Sequence, residues 1–321
     1  MLLDYGGLFM SKFVIIPDST SDMTSELRKR CNVPEIVAGS IVFPDGHSEF
    51  VSCDWENIPQ DEFYELIKNK KNVFSTGAPS PEQFMEVFEK YLKEGYDVLS
   101  ISISSALSGT YQFALSAANQ LNEKYPERKV LCIDSQRYST AELLLIMYAA
   151  KMQEENKSIQ ETYDELEKLK YCLHQSGPMD DLKFLASKGR ISNAKAFMGT
   201  VIGINPIGEI ARNGLTQILC KVKGSKKALQ TCLEYMKRTI VNPHEQIIVI
   251  AHSNRKEKAF MYKEMIEKEI QPKEVLMTEI GLSCAPNIGP GLCAAYYYGT
   301  EITDDLSKEQ AIINDIIGKN K

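Results

Sequence analysis

Hydroxyl-bearing residues gather in four short segments of this 321-residue chain: Asp18–Asp22 (DSTSD), Ser75–Ser80 (STGAPS), Ser104–Thr110 (SSALSGT) and Asp134–Thr140 (DSQRYST). Each stands between an apolar, strand-like run and a stretch of helix formers. A turn from strand into helix leaves the first helical amides unpaired at the positive end of the helix dipole. Hydroxyls beside such amides make a cup for a carboxylate or phosphate that needs no basic side chain. SSALSGT is the clearest case, with no Lys, Arg, His, Asp or Glu, and Ser19 and Ser108 are typical candidate donors. The same residue types also act as helix N-caps, so cap and ligand contact are both readings of every turn.

Catalytic patterns are sparse. A serine nucleophile needs a GxSxG elbow or a base partner, and Ser108–Gly109 lacks the preceding glycine. His252, directly after the IIVIA run, is the histidine placed at a strand's carboxyl end. A hydrolase or phosphotransferase using Ser105 or Ser108 with His252 is therefore one reading. Asp180–Asp181 reads as a carboxylate pair or as a solvated helix start. No GxxxxGK[ST] occurs and no GxGxxG follows a strand, which removes the nucleotide and dinucleotide fingerprints. With four histidines and no HExxH, no metal site is expected, and no cofactor either.

The elements that must hold these segments alternate. Phe13–Pro17 reads as a strand, Ile36–Cys53 as a hairpin turning at Asp45–Gly46, and Asp61–Asn69 as a helix. Ser80, Pro81 and Gln83 have the order of an N-cap, first helical residue and N3 partner. DVLSISI and KVLCID are further strands, each leading through its hydroxyl turn into a helix. This alternation predicts an α/β chain whose first domain is a doubly wound, mostly parallel sheet. Turns after such strands share the carboxyl edge, where ligands bind. A second, smaller mixed-sheet α/β domain follows, with a hairpin at Asn213–Gly214, a strand over EQIIVIAHSN and helices on both sides of it. The expected divisions are an N-terminal extension over 1–12, a first domain over 13–165 and a second over 166–321, with the ligand between them.

A hydrophobic content of 43% and a charge content of 25% are those of a globular protein. The net charge of −6 argues against nucleic acid as a partner. No apolar run approaches the roughly 18 residues of a membrane span, and the acidic opening MLLDYGGLFM is too short for a signal peptide. The eight cysteines include no CxxC and fit small buried side chains in a reducing compartment. The cytoplasm is the expected location.

Together, FVIIPDSTSD, STGAPSP, ISISSALSGTYQ, the DS turn after VLCI, FLASKGRIS, the AHSN turn and IGPGLCAAYYYG resemble the DegV family of bacterial fatty-acid-binding proteins, from about Phe13 to Gly299. The resemblance implies a long-chain fatty acid between two α/β domains, its carboxylate held by hydroxyls and its acyl chain in an apolar tunnel. It implies presentation of that acid, without turnover of its own, to an ATP-dependent fatty acid kinase that makes the acyl phosphate for phospholipid synthesis. Carried over, Thr76 and Ser105 are carboxylate ligands, Gly109 and Thr110 shape the cup, and Arg190 orients the ligand or meets the kinase or a membrane surface. Phe184, Leu185, Phe197, Met198, Ile202 and Ile204 are candidates for the tunnel. Burying some fourteen methylenes contributes roughly 11 kcal/mol before ordering costs. The chain departs from the family pattern at Gly77–Ala78, Lys188, Asn205–Gly208 and Asn287, the last standing where a histidine is common. Asn287 can donate a hydrogen bond to a carboxylate but brings no charge. These departures keep a second reading in view, a binder of a different small anion.

Overall fold

In the computed structural model, which describes residues 12–180, 182–191 and 203–319, the two halves each build a sheet covered by helices. Strands of the first half are β1 (Phe13–Pro17), β2 (Ser40–Val42), β3 (Ser48–Phe50), β4 (Ser75–Gly77), β5 (Asp97–Ser102) and β6 (Val130–Asp134). Those of the second are β7 (Leu173–Ser176), β8 (Ile204–Ile210), β9 (Thr216–Lys223), β10 (Ile247–His252), β11 (Glu274–Glu279) and β12 (Cys293–Tyr298).

The first sheet is parallel in the order β1-β5-β6. Its strands are apolar on both faces, as helices on both sides require. Ile15, Leu99, Ile101 and Ile133 enter one core. The alternate residues Ile16, Val98, Val130 and Cys132 enter another, beneath helices Pro81–Lys93 and Thr110–Lys124. This is the doubly wound arrangement the alternation predicts. The second sheet is mixed, in the order β11-β10-β12-β7, with β10 and β11 parallel and β12 antiparallel to both β10 and β7. Helices Ser225–Thr239, Lys256–Glu269 and Ser307–Lys319 cover its outer face.

Helix Thr140–Glu154 lies between the two sheets. Its sequence, TAELLLIMYAAKMQE, is apolar around most of its circumference, as a helix buried on all sides must be. Its core runs continuously from β1 and β5 to Val249, Ala251, Ala294 and Tyr296 of the second sheet. Hairpin β8–β9 turns at Asn213–Gly214, with Gly214 at φ +79°. A side chain added to Gly214 would meet Ser104 Oγ at 1.9 Å, so the hairpin tip rests on the Ser104–Thr110 loop.

One expectation needs correction in detail. STGAPS does not follow a strand of the parallel sheet; it contains β4, the edge of a separate antiparallel sheet ordered β3-β2-β4. The expected division between residues 165 and 166 falls inside helix Ile159–Leu169, which packs on β5 and β6; the chain crosses to the second sheet at Lys170–Cys172. Most of the expected N-terminal extension lies outside the described residues.

Candidate functional site

A cavity of about 370 Å3 opens where the loops of both halves meet, within the roughly 300–1,000 Å3 typical of small-molecule clefts. Ser19, Thr20, Thr76, Ser108, Gly109, Thr110, Ser283 and Asn287 supply its polar wall; Ile103, Leu107, Leu185 and Ile288 supply much of its apolar wall. Arg190, half-buried, is the charged side chain among the described residues that line it.

The four hydroxyl turns divide between capping and exposure to the cavity. Ser80 is a cap: its hydroxyl accepts from Gln83 N and the Gln83 side chain accepts from Ser80 N, a closed capping box. Helix Thr110–Lys124 instead starts from Gly109, which has no side chain to cap it, and its first amide, Thr110 N, donates to Ser108 Oγ at 3.3 Å. Ser108 Oγ and Thr110 Oγ1 lie 2.8 Å apart beside this start. Across the cavity, Thr76 Oγ1 accepts from Asn287 Nδ2 at 3.2 Å, which leaves the threonine O–H available as a donor. Ser19 Oγ accepts from Gly39 N at 3.0 Å and from Ser283 Oγ at 2.9 Å, so its own hydrogen is likewise uncommitted.

Below this layer lie buried carboxylates. Asp18 Oδ1 accepts from Thr20 N at 2.8 Å and Thr20 Oγ1 at 2.6 Å, and its Oδ2 accepts from Ile103 N at 3.0 Å. Asp22 accepts from Ser139 Oγ, from Thr140 Oγ1 at 2.8 Å and from Gly281 N at 2.7 Å, tying both halves together. Burial pushes the Asp22 carboxyl up to about 6, against these hydrogen bonds. Thr20 Oγ1 also lies 2.9 Å from Glu142 Oε2.

The structure brings Ser19, Thr76, Ser108, Gly109, Thr110, Arg190 and Asn287 of the expected set to one cavity, and leaves others outside it. Ser105 is exposed and turned away: its amide and hydroxyl donate to Asp134 at 3.1 and 2.5 Å, because the first turn of the loop folds back on the end of β6. Phe184 packs over Gly289, and Ile204 opens β8; neither lines the cavity. Ile202, Phe197 and Met198 lie outside the described residues. His252 is buried away from the cavity, and burial first, then Lys256, pushes its imidazole down to about 4. Its ring nitrogen faces Arg255 N at 3.5 Å, and no hydroxyl among the described residues bonds to it, so the serine–histidine pair is not built. Asp180 is held instead by Arg255 Nε and Lys258 Nζ, both at 2.5 Å. Among the described residues no group of three or more His, Cys, Asp or Glu could hold a metal ion.

Sequence reasoning missed Thr20, Tyr138, Ser283, Cys284 and Ile288 as wall residues. Thr20 stood within a turn already singled out, next to Ser19. Ser283 and Cys284 follow β11, in a segment whose only signal was its place after a strand.

Comparison with known proteins gives the same frame. Residues 12–300 match a family described as uncharacterised proteins of the DegV family. A DegV domain-containing protein of Clostridium perfringens is 34% identical over 290 residues, covering 90% of this chain and 98% of the relative. Among solved structures, a DegV family protein of Thermus thermophilus, described for its fatty acid binding, superposes with a TM-score of 0.80 at 28% identity, covering 90% of this chain and 99% of the other. The fatty acid kinase B3 protein of Streptococcus pneumoniae, loaded with linoleic acid, shares the fold with a TM-score of 0.75 at 19% identity, covering 89% and 99% of the two chains. Matched over nearly its whole length, the chain belongs to the DegV family.

Proposed function

We infer that this protein binds a long-chain fatty acid, with the carboxylate among Thr76, Ser19, Ser108 and Thr110 at the start of helix Thr110–Lys124, and the acyl chain leaving along Leu107, Leu185 and Ile288. The observation that carries this reading is one cavity lined by Thr76 and Ser19, whose hydroxyl hydrogens are uncommitted, by Ser108 and Thr110 at a helix start, and by Arg190. Neutral donors orient a carboxylate, hydrogen bonds to a charged group contribute about 1.5–3 kcal/mol each, and burial of the tail contributes most of the affinity. The fatty acids bound by relatives supply the ligand class.

Presentation of the bound acid to a fatty acid kinase, with transient contact at a membrane surface, is the finer part of the proposal, and the pneumococcal protein of the same fold supports the kinase. No described helix is long and apolar enough to cross a membrane. Eight unpaired cysteines, six of them buried, suit the cytoplasm.

Native mass spectrometry of freshly purified protein, followed by solvent extraction, tests the reading. A stoichiometric C14–C18 acid is expected, lost or reduced in Thr76→Val. No extracted lipid and no uptake of added palmitate would overturn it and leave the small-anion reading.

A further inference from the structure

Thr20 lines the cavity, and its hydroxyl stands between two carboxyl groups: Oγ1 is 2.6 Å from Asp18 Oδ1 and 2.9 Å from Glu142 Oε2. A hydroxyl carries one hydrogen. If both carboxyls were ionised, one of these contacts would set lone pair against lone pair in a buried site. One additional proton makes both contacts hydrogen bonds, and the donors present decide where it sits. Asp18 receives three donors, two from Thr20 and one from Ile103 N. Glu142 is fully buried, and among the described residues its side chain hydrogen-bonds to Thr20 alone, through Oε2, while its Oε1 has no hydrogen-bond partner. Nor does the helix start compensate it: the Ser139 and Thr140 hydroxyls there are given to Asp22.

We propose that Glu142 is held as a neutral carboxylic acid, donating to Thr20, which donates to Asp18, and that this buried proton allows the cavity above to accept an anion. The proposal rests on the anionic-ligand reading of the cavity and adds a positioning residue to it. Burial, and then the Asp18 charge, push the Glu142 carboxyl well up. The other titratable groups acting here are Asp22 from the same turn, Asp134 at the end of β6 and the Cys284 thiol from the second half, with Tyr296 of β12 facing Asp22. Arg137, the cation of the adjoining turn, is directed instead at the carbonyls of Gln136, Ile210 and Ala211. An ionised Glu142 would therefore put a further negative charge one hydrogen bond behind Thr20, a residue of the cavity wall.

The test pairs infrared difference spectroscopy with palmitate titrations of the full chain, wild type against Glu142→Gln. Glutamine supplies a donor to Thr20 and no charge. A protonated-carboxyl stretch at pH 7 in wild type, absent from E142Q, is expected without any ligand. Across the pH at which that band disappears, wild-type palmitate affinity should fall by up to tenfold per pH unit, the slope of one linked proton, while E142Q stays level. A band that persists throughout, with parallel affinity profiles, also supports the proposal, since neither protein then changes charge. Absence of the band at pH 7 overturns it, as does loss of the band with no divergence in affinity. Failure of both proteins to bind palmitate while the band is present removes the fatty-acid reading alone and leaves the proton on Glu142 established.

Discussion

Ser105 and Ser108 sit three positions apart in a loop of similar residues and end in opposite roles. Ser105 donates to Asp134 on the surface, while Ser108 pairs with Thr110 at the cavity. The sequence signals that this loop is rich in donors, but which hydroxyl turns inward depends on how the loop packs against β6. That contact joins residues 29 positions apart, and no local pattern encodes it. Ser105→Ala should accordingly leave palmitate affinity within about twofold, measured by fluorescence displacement or calorimetry, since it removes no donor from the cavity. A tenfold loss would mean that the loop presents Ser105 to the ligand. Asn287 was legible as a departure at a site position, and its contact with Thr76 gives that departure a role: it fixes the hydroxyl by donating to it, without bringing charge.

At the scale of elements, turns and caps were the most readable features. Asp45–Gly46, Asn213–Gly214 and the Ser80–Gln83 box all form as their local chemistry requires. Origin in the sheet was harder to read. STGAPS looks like any other strand-to-helix turn, yet β4 pairs with β2 in a small antiparallel sheet, and a three-residue strand has too short a pattern to declare its partner. The hairpin tip at Gly214 shows an element acting at a distance, because it presses on Ser104 at the start of the cavity loop. Gly214→Ala combines a positive φ with a clash and should destabilise the protein by 1 kcal/mol or more, read as a lower urea midpoint. Unchanged stability would show that the hairpin tip is not seated on that loop.

Across the whole molecule, the architecture of two helix-covered sheets was legible from alternation, but its joining was not. Helix Thr140–Glu154 serves both cores, and Asp22 takes donors from both halves. Because burial raises the Asp22 carboxyl from 3.8 to about 6, the folded state favours its protonated form. Its contribution is fully present below about pH 4 and is lost as pH rises through 6. The stability of wild type relative to Asp22→Asn should therefore improve by roughly 2 kcal/mol as pH falls from 7 to 4, measured by urea denaturation at each pH. A gap that does not change with pH would mean that Asp22 remains hydrated.

The cavity wall itself is divided between the halves, with Ser19 and Thr20 on one side and Ser283, Cys284 and Asn287 on the other, joined by Ser283 to Ser19 and by Cys284 Sγ to the Thr20 carbonyl. A guest that must part these walls to leave departs no faster than they open. Its binding is then set less by the speed of capture than by residence time, and the rate of exchange becomes a clock for the opening of the protein.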